Sequence, residues 1–238
     1  MLELKNITYK VIENGKEKVI LDDISCVFED GCVTAITGQN GGGKSTVTKI
    51  IMGIIKQSAG EIYYNGKDIS NLTINERANL GIGYAFQQPV LFKGLTVKDL
   101  IDIASKRSNS VSKACEYLSR VGLCAKEYIN RIFDKSLSGG EQKRIEIALA
   151  LAKNSDLIIF DEPEAGIDLW GFDKLNSLFD KNKTFVIVSH QEKILSKADK
   201  IIVINDGKIT DSGNSRSIIK KLNKTVCARI LGGKNENR

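Results

Sequence analysis

The sequence predicts an α/β fold with a parallel-sheet core, an N-terminal antiparallel β subdomain and an inserted helical subdomain. Apolar runs at 32–37, 156–160 and 184–189 have the length and composition of strands that are buried on both faces. Such strands form a parallel sheet when they alternate with helices. The segment of about 90–150 is mostly helical in pattern and separates the first two runs. We therefore expect a single domain over residues 1–238 that contains this helical insertion.

The remaining strands are predicted as antiparallel pairs. Residues 2–9 and 18–29 are predicted strands on either side of the loop ENGKE, whose glycine suits a turn. Residues 60–69 have the pattern of strand, turn and strand. Residues 199–213 have the pattern of a hairpin that turns at an Asp-Gly pair.

A glycine-rich segment, GQNGGGKST (38–46), follows the first apolar run and precedes a helical pattern. It fits G-x-x-x-x-G-K-[ST] in the strand–loop–helix context that this phosphate-binding motif requires. Glycines let the backbone wrap around a phosphate and direct N–H groups at it. Lys44 is expected to reach the β- and γ-phosphates, and the Ser45 hydroxyl to bind Mg²⁺. The candidate nucleotide-binding residues here are Gly38, Gln39, Asn40, Gly41, Gly42, Gly43, Lys44, Ser45 and Thr46.

Two acidic residues end a later apolar run, LIIFDEP. Beside a phosphate-binding loop, Asp161 is expected to hold Mg²⁺, usually through water. Glu162 is expected to point at the water that attacks the γ-phosphate. Two acids at the end of a strand are also compatible with a solvent-exposed turn that has no catalytic role.

A Ser-Gly-Gly segment precedes the helix-forming stretch IEIALALA. Ser138 and Glu141 have the S-x-x-E spacing of a capping box, so a helix is predicted to begin here. The free N–H groups at a helix N-terminus can bind an anion. A capping box alone needs no ligand, so this feature becomes informative only beside the other motifs.

Composition sets the broad class of the protein. Hydrophobic residues make up 42% and charged residues 27%, as in ordinary globular proteins, and no apolar run reaches the length of a membrane span. The N-terminus lacks the pattern of a signal peptide, so we expect a cytoplasmic protein. The five cysteines include no C-x-x-C pair, which favours reduced thiols. The net charge of +6 includes a basic C-terminal tail, which suits either a solvated end or contact with an acidic surface.

Taken together, these motifs resemble the ATP-binding cassette (ABC) ATPases over essentially the whole chain. The shared elements, in the order typical of the family, are GQNGGGKST, Gln87 in AFQQP, LSGGE, LIIFDEP, Asp168 in AGID and His190 in VSH. LSGGE is the most specific of them. The resemblance implies an ABC-type P-loop NTPase that hydrolyses ATP to ADP and phosphate with Mg²⁺.

The resemblance also implies that two chains share each nucleotide. A homodimer would form head to tail in the ATP-bound state, with Ser138, Gly139 and Gly140 of one chain on the ATP held by its partner. Asp168 would reach across the dimer toward the facing P-loop.

Two further site residues take their roles from the resemblance. Gln87 would contact Mg²⁺ or the attacking water and link the core to the inserted helices. His190 would contact the γ-phosphate and position the base and the water. The candidate catalytic residues are thus Glu162, His190 and Gln87, and the candidate Mg²⁺ ligands are Ser45, Gln87 and Asp161.

One position departs from the family pattern. Many members carry an aromatic side chain that stacks on adenine just after the first strand, where this chain has Val11. Tyr9 lies nearby and suits either a core position or an adenine platform. A preference for ATP over GTP therefore rests on the family resemblance.

The partner that this ATPase drives is open at this stage. ERANLGIGYAFQQPV, SGGEQKR and SHQEKIL are similar to the ATPase of the SUF iron–sulfur cluster assembly system, which favours SUF-type scaffold proteins as partners. The alternative is the nucleotide-binding subunit of a membrane transporter, peripheral at the membrane on separate transmembrane subunits. The segment DEPEAGID resembles transporter ATPases as much as SUF ATPases. Direct action on nucleic acid is disfavoured, because the spacing from Lys44 to Ser138 is too short for the coiled coil of DNA-repair relatives.

Overall fold

Two β-sheets form the framework of the computed structural model, which describes residues 1–107, 110–165 and 183–232. The strands of these residues are β1 (Leu2–Glu13), β2 (Lys16–Phe28), β3 (Val33–Thr37), β4 (Ala59–Tyr64), β5 (Lys67–Asp68), β6 (Ile82–Ala85), β7 (Leu157–Asp161), β8 (Thr184–Val188), β9 (Lys200–Asn205) and β10 (Lys208–Asn214). The helices are α1 (Lys44–Met52), α2 (Ile74–Asn79), α3 (Val97–Ser105), α4 (Val111–Arg120), α5 (Ala125–Tyr128), α6 (Gly139–Ala152), α7 (Glu192–Leu195) and α8 (Ser215–Gly232).

The N-terminal sheet has four strands in the order β2-β1-β4-β5, all paired antiparallel. The predicted antiparallel β subdomain is thus confirmed. The strands β1 and β2 extend further into ENGKE than predicted, because Asn14 and Gly15 both adopt positive φ, 53° and 74°. A two-residue turn of this kind matches the twist of the strands that it joins.

The second sheet has six strands in the order β10-β9-β3-β8-β7-β6. The five strands from β9 to β6 run parallel, and β10 pairs antiparallel with β9 as the predicted hairpin. The parallel-sheet core is therefore confirmed. Because the carboxyl ends of parallel strands lie at one edge, the residues that follow β3, β6, β7 and β8 lie close together there.

Hydrophobic side chains fill both faces of this sheet. In β7, Ile158 and Phe160 face one core, and Leu157 and Ile159 face the other. The first core packs against α3, α4 and α6, and the second packs against α1 and the N-terminal sheet. Burial on both faces explains why the parallel strands are continuous apolar runs in the sequence.

Four helices, α3 to α6, lie between β6 and β7 in the chain. Thr96, Ser110 and Ser138 are the N-cap residues of α3, α4 and α6, and each side chain accepts a backbone N–H of its helix. Side-chain caps fix where each helix begins. Within the described ranges, no helix has the length and apolar character needed to span a membrane.

Candidate nucleotide-binding site

The glycine-rich loop lies between β3 and α1 and packs closely against neighbouring backbone. Gly38 has φ 134°, and a Cβ atom there would lie 1.9 Å from the carbonyl oxygen of Ile204. Gly43 has φ 102°, and its Cβ would lie 2.5 Å from a methyl group of Leu21. Neither position accepts a side chain, so glycine is required to form this loop.

Lys44 begins α1 and is 5% exposed. Its Nζ donates to the carbonyl oxygens of Gly38 at 3.1 Å and Gln39 at 2.7 Å, so the side chain folds back over the loop. Burial lowers the pKa of Lys44, and the charges of Glu162 and Asp161 oppose that shift. Lys44 and Glu162, the residue that follows β7, line the same cavity.

Asp161, at the end of β7, is 1% exposed and has both carboxylate oxygens hydrogen-bonded. Ser45 Oγ donates to Oδ1 at 2.8 Å, and the hydroxyl of Tyr84 donates to Oδ2 at 3.0 Å. The hydroxyl groups of Thr48 and Tyr84 are 3.2 Å apart and share a further hydrogen bond. The structure thus brings the two predicted Mg²⁺ ligands Ser45 and Asp161 together and adds Tyr84, which the sequence analysis does not include.

Gln87, Glu162 and His190 come from three different segments and meet at the carboxyl edge of the sheet. Gln87 Nε2 donates to Glu162 Oε2 at 2.6 Å, and His190 Nε2 lies 3.9 Å from Glu162 Oε1. Glu162 has a φ of 47°, and its N–H donates to the carbonyl oxygen of Val188 at 3.0 Å. This left-handed backbone conformation is uncommon outside glycine and turns the Glu162 side chain away from the strand direction.

The pKa of His190 is lowered, first by desolvation and then by the charge of Lys44, while the charge of Glu162 opposes the shift. The imidazole is therefore neutral near pH 7 and can both accept and donate a hydrogen bond.

A cavity of about 430 Å³ unites these groups. Its lining residues are Asn40, Gly41, Gly43, Lys44, Ser45, Thr46, Gln87, Glu162 and His190. Gly38 and Gln39 line a neighbouring cavity of about 410 Å³ instead. Gly42 packs against Ile204 and Asn205 behind the loop. The predicted residue Asp168 lies outside the described residues.

The predicted capping box at the start of α6 is confirmed. Ser138 N donates to Glu141 Oε2 at 2.6 Å, and Glu141 N donates to Ser138 Oγ at 3.3 Å. Tyr128 donates to the other oxygen of Glu141, a bond that contributes most to the lowered pKa of that carboxyl group. Apart from its two neighbours and the backbone of α6 itself, a Cβ atom on the exposed Gly139 would meet no described atom within 4 Å. Ser138, Gly139 and Gly140 are not among the described residues that line the cavity at Lys44.

The two residues near the expected adenine position lie on β1. Tyr9 is partly buried and packs against the core that contains the N-terminal sheet. Val11 pairs with Lys18 on β2 and is partly exposed. Tyr9 therefore packs against the core with one part of its side chain and leaves another part accessible to solvent.

A family model described as ABC transporter matches residues 21–165, which is more than half of the chain. The chain belongs to the ABC transporter ATP-binding family. The match includes the P-loop, Gln87, the start of α6 and the Asp161-Glu162 pair. The α/β fold of an ABC cassette and its ATPase activity, with ATP and Mg²⁺, are thereby confirmed.

Individual relatives agree with this assignment. An uncharacterised ABC transporter ATP-binding protein of Methanocaldococcus jannaschii is 36% identical over 211 residues, 84% of each chain. The energy-coupling factor transporter ATP-binding protein EcfA2 of Ligilactobacillus salivarius is 34% identical over 86% of this chain and 75% of its own. The lipoprotein-releasing system ATP-binding protein LolD of Francisella tularensis is 32% identical over 88% of this chain and 95% of its own.

A solved structure also matches at the level of the fold. The ATP-binding cassette MJ0796, determined as a dimer in a post-hydrolysis state bound to ADP and Pi, superposes with a TM-score of 0.82. It is 28% identical, and the match covers 91% of this chain and 99% of the cassette.

The residues present fit ATP with Mg²⁺. The loop at Gly38 and Gly43 has no room for a Cβ atom on its packed side, and Lys44 and the loop residues line the open side. Ser45 and Asp161 offer hydroxyl and carboxylate oxygens, the hard ligands that Mg²⁺ prefers.

Proposed function

We propose that this protein is the nucleotide-binding subunit of an ABC membrane transporter. It would lie at the cytoplasmic face of the membrane as one cassette and dock on separate transmembrane subunits. The names of its relatives support this proposal, since EcfA2 and LolD are transporter or lipoprotein-release components. These relatives give no support to the SUF system that the sequence analysis favours, so the transporter alternative is the better supported of the two.

The proposed active unit is a homodimer with two shared nucleotide sites. The observation that supports the homodimer is that the P-loop and the N-terminus of α6, which both suit phosphate, do not line the same cavity within one chain. Lys44 lines the cavity, whereas Ser138 and Gly139 at the mouth of α6 are exposed and do not line it. The α6 N-terminus, with its free N–H groups, would complete the cavity of a partner chain. The related cassette MJ0796 was solved as a dimer.

We assign a chemical task to each side chain at the cavity. The N–H groups of the loop and Lys44 would hold the β- and γ-phosphates. Ser45, Gln87 and Asp161 would hold Mg²⁺, which supplies positive charge where negative charge develops on the phosphate oxygens. Asp168 would contribute from the facing chain.

Glu162 is the proposed base for the attacking water. Gln87 Nε2 and His190 Nε2 approach opposite oxygens of the Glu162 carboxylate. Both would orient that carboxylate and the water in line with the γ-phosphate.

Replacement of Glu162 tests this assignment. Glu162→Gln should still bind ATP, because the P-loop is unchanged, but should lower the rate of hydrolysis by about a hundredfold or more. The variant should also accumulate as an ATP-bound dimer in size-exclusion chromatography. Normal turnover by Glu162→Gln would remove this residue from the role of base.

Recovery of the partner from the native host tests the transporter assignment. The tagged full chain is cross-linked in intact cells, and the membrane fraction is solubilised before purification. We expect a membrane-spanning partner that stimulates the ATPase rate when both are reconstituted in lipid vesicles. A soluble iron–sulfur scaffold as the stimulating partner would restore the SUF interpretation, and ribosomes or DNA would contradict both.

A further inference from the structure

A buried pair of charged residues on α6 lies next to the nucleotide site. Lys143 is 1% exposed and Glu146 is 8% exposed, and Lys143 Nζ lies 3.3 Å from Glu146 Oε2. The two residues are three positions apart, so they lie on the same face of the helix. Lys143 lies in SGGEQKR, but neither residue belongs to LSGGE or to the other motifs that identify the ABC family in this sequence.

Both charges hold the backbone that leads into Gln87. Glu146 Oε1 accepts the N–H of Phe86 at 2.8 Å. Lys143 Nζ donates to the carbonyl oxygens of Phe86 and of Gln87, the latter at 3.3 Å. The pair therefore binds both the N–H and the carbonyl group of Phe86 and the carbonyl group of the next residue.

Lys143 also reaches the strand that carries the acids. Its Nζ lies 3.5 Å from the carbonyl oxygen of Asp161, which belongs to the peptide group that joins Asp161 to Glu162. One ammonium group thus contacts the backbone on both sides of the hydrogen bond between Gln87 and Glu162.

A buried ion pair is a poor source of stability, because the loss of hydration offsets much of the attraction between the charges. Burial accordingly raises the pKa of Glu146, while Lys143 and the N–H of Phe86 act in the opposite direction. An apolar pair would fill the same space without this loss of hydration. The geometry of the contacts therefore suggests a role other than stability.

We infer that Lys143 and Glu146 are positioning residues that hold Gln87 at hydrogen-bond distance from Glu162. The inference rests on the proposed roles of Gln87 and Glu162. Because the pair is on the helix that begins at Ser138, it also connects the mouth of α6, which would meet the partner's nucleotide, to this chain's own catalytic groups. Neither residue lines the cavity, so both would act through Gln87 and the peptide before Glu162.

The double variant Lys143→Met/Glu146→Leu tests the inference. It keeps the buried volume close to that of the native pair but removes every hydrogen bond that the pair makes with the backbone of Phe86, Gln87 and Asp161. We expect kcat to fall roughly tenfold or more, since small displacements of a positioning group have large effects on rate. KM for ATP should change by less than about threefold, because the P-loop is untouched.

Lys153→Met is the matched control. Lys153 caps the other end of α6, and its Nζ donates to the carbonyl oxygen of Ile82, at the start of β6. Like the double variant, Lys153→Met removes a hydrogen bond from a lysine of α6 to a backbone carbonyl group, in this case one in β6. It should leave kcat unchanged, because Ile82 is remote from the bond between Gln87 and Glu162.

A double-mutant cycle with Gln87→Ala separates the possible outcomes. If the pair acts largely through Gln87, its removal should lower kcat less in the Gln87→Ala protein than in wild type, since only the contact with the peptide before Glu162 is left to act. An equal loss in both backgrounds would contradict the inference. Wild-type kcat in the double variant, with Gln87→Ala impaired, would overturn the inference and leave the proposed function intact. Wild-type kcat in Gln87→Ala would overturn the role of Gln87 itself and the inference with it.

A second pair of variants covers failure of the double variant to fold. Glu146→Gln retains an oxygen acceptor for the N–H of Phe86, whereas Glu146→Leu does not. The inference predicts near-normal kcat for Glu146→Gln and a loss of roughly tenfold for Glu146→Leu. Equal kcat values in the two variants would contradict it.

Discussion

Tyr84 contacts the candidate Mg²⁺ ligand Asp161, although no motif in the sequence indicates this contact. Its hydroxyl group donates to Asp161, and that of Thr48 lies within hydrogen-bond distance of it. Burial is the main cause of the raised pKa of the phenol, so Tyr84 stays protonated and remains a donor to the carboxylate. Hydrogen bonds of this kind hold a metal-binding carboxylate in one orientation.

Tyr84→Phe should therefore weaken the response of the enzyme to Mg²⁺. The substitution removes one hydroxyl group and leaves the ring in place. We expect the Mg²⁺ concentration for half-maximal ATPase activity to rise about tenfold, as for other residues that orient metal ligands. Tyr64→Phe, in the N-terminal sheet, is the control and should match wild type. An unchanged Mg²⁺ response in Tyr84→Phe would show that Ser45 alone orients Asp161.

His190 allows a direct test of the electrostatics of the site, because it is the only histidine in the chain. In the nucleotide-free protein its pKa should lie below the ordinary value of 6.5. Lys44→Met removes a repelling positive charge and should raise the pKa. Glu162→Gln removes an attracting negative charge and should lower it further. An NMR titration of the single imidazole measures all three, and no response to Lys44→Met would contradict the geometry.

The role of an individual residue could be predicted from the sequence only where that residue lies in a short local motif. Lys44, Ser45, Asp161 and Glu162 could be predicted as site residues because each lies at a fixed position in a short pattern, and the structure brings them together around one cavity or its edge. Tyr84 was not found, because its partner Asp161 is far away in sequence and is brought near by the pairing of β6 with β7.

Among the elements, α1 has an unusual C-terminus. Its last carbonyl groups accept hydrogen bonds from Arg77, a side chain that is 2% exposed. Nη1 donates to Ile50 at 2.6 Å and Ile51 at 2.8 Å, while Nε and Nη2 donate to the carbonyl groups of Leu72 and Ser70. A positive charge at a helix C-terminus is favourable, and here it also joins α1 to the segment before β6.

Arg77→Lys should destabilise the protein without a direct effect on chemistry. The ammonium group cannot satisfy four separated carbonyl groups at once. We expect the free energy of unfolding to fall by about 3 kcal/mol, since buried acceptors lose charged donors. Urea denaturation measures the change, with the exposed Arg216→Lys as the control. A loss no larger than that of the control would show that water replaces the guanidinium group.

The sequence predicted the long or strongly patterned elements and missed β6. The segment GIGYA contains two glycines, which local rules assign to a turn. In the structure, a Cβ atom on Gly83 would lie 2.9 Å from Ser155 Oγ, so this glycine allows two segments to approach closely within the sheet. Such a requirement comes from tertiary packing and leaves no local pattern.

At the scale of the whole molecule, the proposed function requires one chain to hold two incomplete parts of a nucleotide site. The cavity at Lys44 and the mouth of α6 are both open in the described structure. The motifs identify the family, because their residue types and spacing are those that phosphate and Mg²⁺ chemistry requires. They do not identify the partner, because docking surfaces are free to differ among proteins with the same ATPase core.

The central claim is that residues 138–140 of one chain complete the cavity of another, and subunit mixing tests it most directly. A Cβ atom at Gly139 meets no packed neighbour, so Gly139→Val should fold and yet lose activity. Lys44→Ala should lose nucleotide binding at its own P-loop. Mixed, the two should form heterodimers with one intact shared site and regain ATPase activity well above either variant alone. An inactive mixture, or full activity from Gly139→Val by itself, would contradict the claim.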